Sequence, residues 1–241
     1  MRDSLTRGGP ELLRIEGLHT RYGESQVLHG LDLVINRGEV VSLLGRNGAG
    51  KTTTLKSIMG ILRQRIGSIW FDGKQIIDML PEEIARLGIG YCPEERGIFA
   101  SLTVEENLML PPAVQSGGLD LDEIFALFPN IQERRGAGGS KLSGGEQQML
   151  AIARILRTGA SLLLLDEPME GLAPVIVQQI ARVLHQLKER GFTVLLIEQN
   201  LNFATDLSDW HYVIENGRIV DNLSNSEAKK NSATLRRHLG M

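Results

Sequence analysis

Cys92 is the only cysteine in this 241-residue chain, which excludes an intrachain disulfide and any thiolate metal cluster. Positive charge is not in excess: 26 Lys and Arg face 29 Asp and Glu, so the net charge of -3 gives no electrostatic case for a nucleic-acid partner. No apolar run approaches the roughly 20 residues that a membrane span needs. Arg2, Asp3 and Arg7 stand near the start without an apolar stretch, so no secretory signal is read there, and residues 1–10 are expected to be a loose tail. These absences point to a cytosolic protein that reaches a membrane only through a partner. What is present supports a folded core: 42% of residues are hydrophobic, and 23% are charged, as on a soluble surface. The length suits one large domain, or one carrying a substantial insertion.

Val40 to Leu44 is a short apolar run ending at Gly45, read as a buried strand with a helix from Lys51 to about Leu62 behind it. Ahead of it, alternating Leu31, Leu33 and Ile35, and beyond it Ile69 to Phe71 followed by Asp72-Gly73, predict antiparallel sheet. Leu162 to Leu165 is apolar without alternation, as in a central parallel strand covered on both faces. Pro174 opens a helix that Gly191 stops, and Thr193 to Ile197 is the next buried strand. Tyr212 to Ile214 and Arg218 to Val220 flank Glu215-Asn216-Gly217, a hairpin signal. Residues 226–241 are expected to form a polar helical tail. Across 93–156 the character changes: Thr103 to Glu106 is a capping box, Pro111-Pro112 and Gly117-Gly118 break the pattern, and Gly136 to Ser140 reads as a flexible strip. This region is read as a helical insertion within a single α/β domain over 1–241.

Three motifs carry the chemistry. Gly45-Arg46-Asn47-Gly48-Ala49-Gly50-Lys51-Thr52 fits the full G-x-x-x-x-G-K-[ST] pattern. Its glycines let backbone N–H groups approach phosphate oxygens, and the helix behind adds its positive end. Lys51 is placed to neutralise β and γ phosphates, and the Thr52 hydroxyl to ligate Mg²⁺; Asn47 to Thr53 form the candidate ATP-binding set. Asp166, at the end of a buried strand, is assigned to Mg²⁺, and Glu167 beside it to orienting or deprotonating the attacking water. The third motif, Leu142-Ser143-Gly144-Gly145-Glu146-Gln147-Gln148, contains an ordinary Ser-x-x-Glu capping box. Two glycines are poor helix formers, however, and suit a helix end lying against a phosphate; Ser143, Gly144 and Gly145 are therefore read as an anion site.

Along the chain these motifs run in the order Gly45 loop, Leu142 segment, Asp166-Glu167, and in that order the chain resembles an ATP-binding cassette nucleotide-binding subunit over essentially its whole length. The resemblance implies the matching phosphate-loop NTPase fold: a mostly parallel central sheet with helices, an antiparallel β subdomain and an inserted helical subdomain carrying the Leu142 segment. It implies that Tyr22, in Arg21-Tyr22-Gly23, stacks on adenine, against the alternative of a half-buried strand aromatic. It also implies that the Leu142 segment contacts the γ-phosphate of ATP held by the opposite subunit, and that Met169 to Ala173 is a dimer-contact loop.

Two positions depart from most of the family. Glu94, after Pro93, stands where Gln usually contacts Mg²⁺ and couples to the membrane partner, and Gln199 stands where a switch His is usual. Gln199 can hydrogen-bond a γ-phosphate but cannot become a cation near neutral pH. Together with Glu170-Gly171-Leu172-Ala173-Pro174, these residues resemble the ATPases of branched-chain amino-acid importers, with urea-importer ATPases as close relatives. That resemblance implies a second cassette ATPase (the same chain or a sister), two transmembrane permeases and a binding protein beyond the membrane. The chain is then peripheral on the inner face of the cell membrane. The segment Glu94 to Met109 is expected to dock a permease helix, with Ile98, Phe99 and Leu102 either in that socket or in the insertion's own core. A soluble cassette ATPase of DNA repair or translation fits less well, since those usually carry two cassettes or a long coiled-coil insertion. A silent nucleotide switch is opposed by the presence of Lys51, Asp166 and Glu167.

Overall fold

The computed structural model describes residues 9–240, the side chains at 234 and 238 excepted. Most of the tail expected over 1–10 thus lies outside the described residues; Pro10 itself is tied down, its carbonyl accepting from Arg37 N at 2.9 Å.

Two sheets form the frame. The first is antiparallel, with β1 (Glu11–Tyr22), β2 (Ser25–Asn36), β4 (Arg65–Phe71) and β5 (Lys74–Gln75) in the order β2-β1-β4-β5. The second runs β10-β9-β3-β8-β7-β6, from β3 (Val40–Leu44), β6 (Ile89–Cys92), β7 (Leu162–Asp166), β8 (Thr193–Glu198), β9 (Trp210–Glu215) and β10 (Arg218–Ser224). It is parallel except for the β9–β10 hairpin. The unalternating leucines of β7 have the predicted cause. Leu162 and Leu164 pack with β1, β2 and α1 (Lys51–Ile58), while Leu163 and Leu165 face the opposite core with α6 (Gly144–Arg157) and α7 (Pro174–Glu189).

Register then places the chemistry. Leu44 of β3 lies opposite Glu198 of β8, and Asp166 of β7 opposite Ile197. The phosphate loop, the Asp166-Glu167 pair and the Gln199 turn therefore all leave the sheet at its carboxyl edge, where open α/β sheets gather ligand sites.

The remaining helices are α2 (Pro81–Arg86), α3 (Val104–Met109), α4 (Leu121–Leu127), α5 (Pro129–Gln132), α8 (Leu201–Leu207), α9 (Asn225–Lys230) and α10 (Ser232–Leu239). Among the described residues no helix is long and apolar enough to cross a membrane.

Three details differ from the sequence reading. Helix α1 ends at Ile58 rather than near Leu62, because Gly60 adopts φ 72 and the Arg65 guanidinium bonds the carbonyls of Ser57 and Met79. The strip from Gly136 to Ser140 is held, not loose. Gly138 bridges Thr103, Gly139 N donates to Leu102 O at 2.8 Å, and Ser140 N donates to Ala100 O at 3.0 Å. A Cβ on Gly139 would stand 2.8 Å from Phe99 O, so glycine here serves close backbone approach. The polar tail is two helices broken at Asn231, and Ala228 and Leu235 are buried against Leu44, Leu201 and Val213.

Ile98 packs on the helical core while Phe99 is 48% exposed beneath the Arg154 guanidinium, 5.5 Å from its ring centroid. Buried Asn107 fastens this loop: its Oδ1 accepts from Phe99 N, and its Nδ2 donates to the carbonyls of Phe99, Leu102 and Thr103.

Candidate phosphate-loop site

Strand β3 delivers the loop, and Gly50, with φ 111, caps α1 so that its first N–H groups face outward. Lys51 is 4% exposed; its Nζ donates to Gly45 O at 2.9 Å and Arg46 O at 3.2 Å and pairs with Glu167 Oε1 at 3.0 Å. Thr52 Oγ1 donates to Asp166 Oδ1 at 3.0 Å. Across the same opening, Gln199 Nε2 donates to Glu167 Oε2 at 2.8 Å and Asn47 Oδ1 at 2.7 Å. Two bonded groups, Thr52 with Asp166 and Lys51 with Glu167, Gln199 and Asn47, thus stand side by side on three sheet-edge loops.

An open cavity of about 460 Å³ lies over these groups, lined by Asn47, Gly48, Gly50, Lys51, Thr52, Thr53, Glu94 and Glu167, with Val27 and Glu170 as well. Ala49 faces a separate cavity with Arg46, Glu215 and Arg237. Tyr22 ends β1 and is 47% exposed, outside that lining. The Ser143 segment also lies elsewhere. Ser143 caps α6, accepting from Glu146 N at 3.3 Å, while Glu146 Oε2 accepts from Ser143 N at 2.7 Å. The capping box read for that segment is therefore present, and Gly145 has a packing cause of its own. A Cβ on Gly145 would stand 2.7 Å from Ile176 Cγ2, so α6 meets α7 only because this residue has none.

The carboxylates differ in charge state. Burial pushes Asp166 up to about 6, with Glu167 and Glu94 adding repulsion that the hydrogen bonds of Thr52 and Tyr91 partly offset. Glu167 settles below its ordinary value, because a hydrogen bond from Glu170, the Lys51 ammonium and Gln199 outweigh its burial. Glu170, bonded to Glu167 and repelled by it, rises to about 7. The two titrate as a pair, in which Glu170 takes up a proton more readily than Glu167. Glu198 rises to about 7 through burial, although Gln199 N and Asn200 N donate to its Oε2. A carboxylate kept ionised between Lys51 and Gln199 is a weak base but a fixed hydrogen-bond acceptor, an arrangement that can orient a water.

Oxygen donors fit a hard cation here. Thr52 and Asp166 share a hydrogen bond, and Glu94 lines the same cavity. Magnesium takes donors of this kind, one or two carboxylates with phosphate oxygens and water completing its shell, so a Thr52 hydroxyl and an Asp166 carboxylate side by side match its chemistry.

Sequence reasoning missed three neighbours. Tyr91 Oη donates to Asp166 Oδ2 at 3.2 Å, Glu170 bonds Glu167, and Val27 lines the cavity. The only available signal was the Glu in the Met169 to Ala173 loop; Tyr91 reaches Asp166 only because β6 pairs with β7.

Comparison with known proteins fits this geometry. Residues 28–170 match the ABC transporter family profile. The chain is 43% identical over 212 residues to the high-affinity branched-chain amino acid transport ATP-binding protein BraG of Pseudomonas aeruginosa, covering 87% of this chain and 91% of that one. It is 35% identical over 235 residues to the lipopolysaccharide export system ATP-binding protein LptB of Haemophilus influenzae, covering 95% and 97%. A crystal structure of a nucleotide-free ATP-binding cassette from an ABC transporter superposes with a TM-score of 0.81 at 27% identity, covering 96% and 99%. The chain belongs to the ABC transporter family, as an ATP-binding, ATP-hydrolysing subunit.

Proposed function

We propose that this chain powers import of branched-chain or other hydrophobic amino acids, held at the inner face of the membrane by two permeases that an outer binding protein feeds. The observation that carries the mechanism is the Glu167 carboxylate fixed between Lys51 and Gln199 at the mouth of the phosphate-loop cavity. Lys51 and the loop's N–H groups hold the β and γ phosphates, and Tyr22 stacks on the adenine. Thr52, Asp166 and Glu94 hold Mg²⁺, which neutralises phosphate charge. A second cassette, identical or a sister, closes over the nucleotide and presents its own Ser143 segment to the γ-phosphate. Glu167 then orients water for in-line attack, and hydrolysis reopens the pair.

The substrate class rests on the 43% identity to BraG. A second reading, lipopolysaccharide export, is favoured by the LptB match, which spans more of both chains at lower identity. Affinity purification of the tagged chain from mild-detergent extracts of its host, followed by mass spectrometry, separates them. Two permeases, a second cassette and a binding protein that takes up leucine, isoleucine or valine support import. Recovery of lipopolysaccharide-transport membrane proteins supports export, and a urea-specific binding protein would move the substrate to urea.

A further inference from the structure

The turn after β6 brings Glu94 to the phosphate-loop cavity, and the chain then reverses: Arg96 has φ 66, Gly97 has φ 60, and Arg96 N donates to Pro93 O at 3.0 Å. Arg96 does not line that cavity. Its guanidinium lies on the first turn of α6, where Nη1 donates to Gln147 Oε1 at 3.2 Å. Nη1 and Nη2 sit 3.0 and 3.2 Å from the point where a Cβ on Gly144 would stand. Gln147 in turn donates from Nε2 to Leu142 O and Gly139 O, both at 3.3 Å. One arginine from the Glu94 turn thus holds the segment that carries Ser143.

This placement is electrostatically incomplete within one chain. A cation beside the positive end of a helix is unfavourable unless an anion joins them. Among the described residues the Arg96 side chain bonds only the neutral Gln147 amide, and no carboxylate pairs with it. Glu146, the acid in that first turn, is engaged by Ser143 N and Arg134. In the closed pair, the γ-phosphate of the other chain's ATP would meet this face.

We propose that Arg96 works in trans: two residues from Glu94 in sequence, it serves the nucleotide of the opposite chain by holding the Ser143 segment and adding its charge beside Gly144. This inference rests on the closed-dimer reading above. The test uses the full chain in a Glu167→Gln background, with two readouts. Fluorescent ATP-analogue affinity is measured at protein concentrations where the chain is monomeric, and ATP-dependent dimerisation is measured by light scattering. Arg96→Met, which keeps the aliphatic stem, should leave monomer affinity within about twofold and raise the dimer dissociation constant about tenfold, with Arg96→Lys in between. Weakened monomer affinity would place Arg96 in cis and overturn the proposal. Unchanged dimerisation in Arg96→Met, or an Arg96→Lys variant no better than Met, would overturn it too. Failure of the Glu167→Gln parent itself to dimerise would instead remove the closed-dimer reading, a distinct result.

Discussion

Gln199 donates to Glu167 across the site, 2.8 Å from Nε2 to Oε2, and the same amide nitrogen reaches Asn47 of the phosphate loop at 2.7 Å. A neutral amide therefore joins Asn47 of the phosphate loop to the Glu167 carboxylate, and under the proposed function it would hydrogen-bond the γ-phosphate while its own charge stays fixed.

Restoring a titratable group at that point should create a pH dependence. Gln199→His is expected to add an inflection to the hydrolysis profile between about pH 6 and 8, on top of those from Asp166 and Glu170, which already titrate near 6 and 7 in the parent. Steady-state turnover across that range checks it, and a profile parallel to the parent's would show that this side chain does not act on the phosphate.

Glu167→Gln keeps the shape of the site and removes the carboxylate proposed to orient the water. Turnover should fall by about 10² or more with ATP affinity retained. Single-turnover hydrolysis with nucleotide binding measured in parallel checks this; near-parental turnover would take the role from Glu167.

Gly145→Ala should destabilise the fold by about 1–3 kcal/mol, because the new methyl group meets Ile176 of α7. Pairing it with Ile176→Ala should recover most of the loss in a double-mutant cycle read by denaturant unfolding. A stable Gly145→Ala single variant would return the glycine's purpose to phosphate approach alone.

Glu198 gives a stability prediction with a defined sign. Its carboxyl is raised from 4.5 to about 7 in the fold, so the folded chain holds a proton that the unfolded chain has released between those values. That stabilisation is complete below about pH 4.5 and is lost as pH rises through about 7. Glu198→Gln, which never ionises, should therefore melt higher than the parent at pH 8, by about 3 °C, with the gap closing toward pH 5. Equal melting temperatures at pH 8 would contradict the assigned burial cost.

Much of this site was legible because its signals are local. The phosphate loop, the apolar strand before Asp166 and the Ser143 cap each lie within about ten residues, and the resemblance supplied their order. What stayed hidden depends on pairing between distant segments. Tyr91 meets Asp166 through the β6–β7 register, and Gln199 meets Asn47 across 152 positions of sequence. The purpose of Gly145 is set by a helix packed against it, so its neighbours in sequence suggested only the phosphate. The strip at Gly136 to Ser140 looked loose because glycine reads as freedom, whereas here it lets two backbones touch. Arg96 was passed over because Glu94 beside it fitted a motif, while its own partner lies on α6.

The central claim is that this chain acts as an ATP-closed pair. Light scattering of the Glu167→Gln variant with saturating Mg-ATP tests it most directly. The account predicts that a species of 26.6 kDa doubles in mass with ATP and returns on ATP removal. A mass fixed at 26.6 kDa under saturating nucleotide, for the chain alone and mixed with its co-purifying cassette, would contradict it.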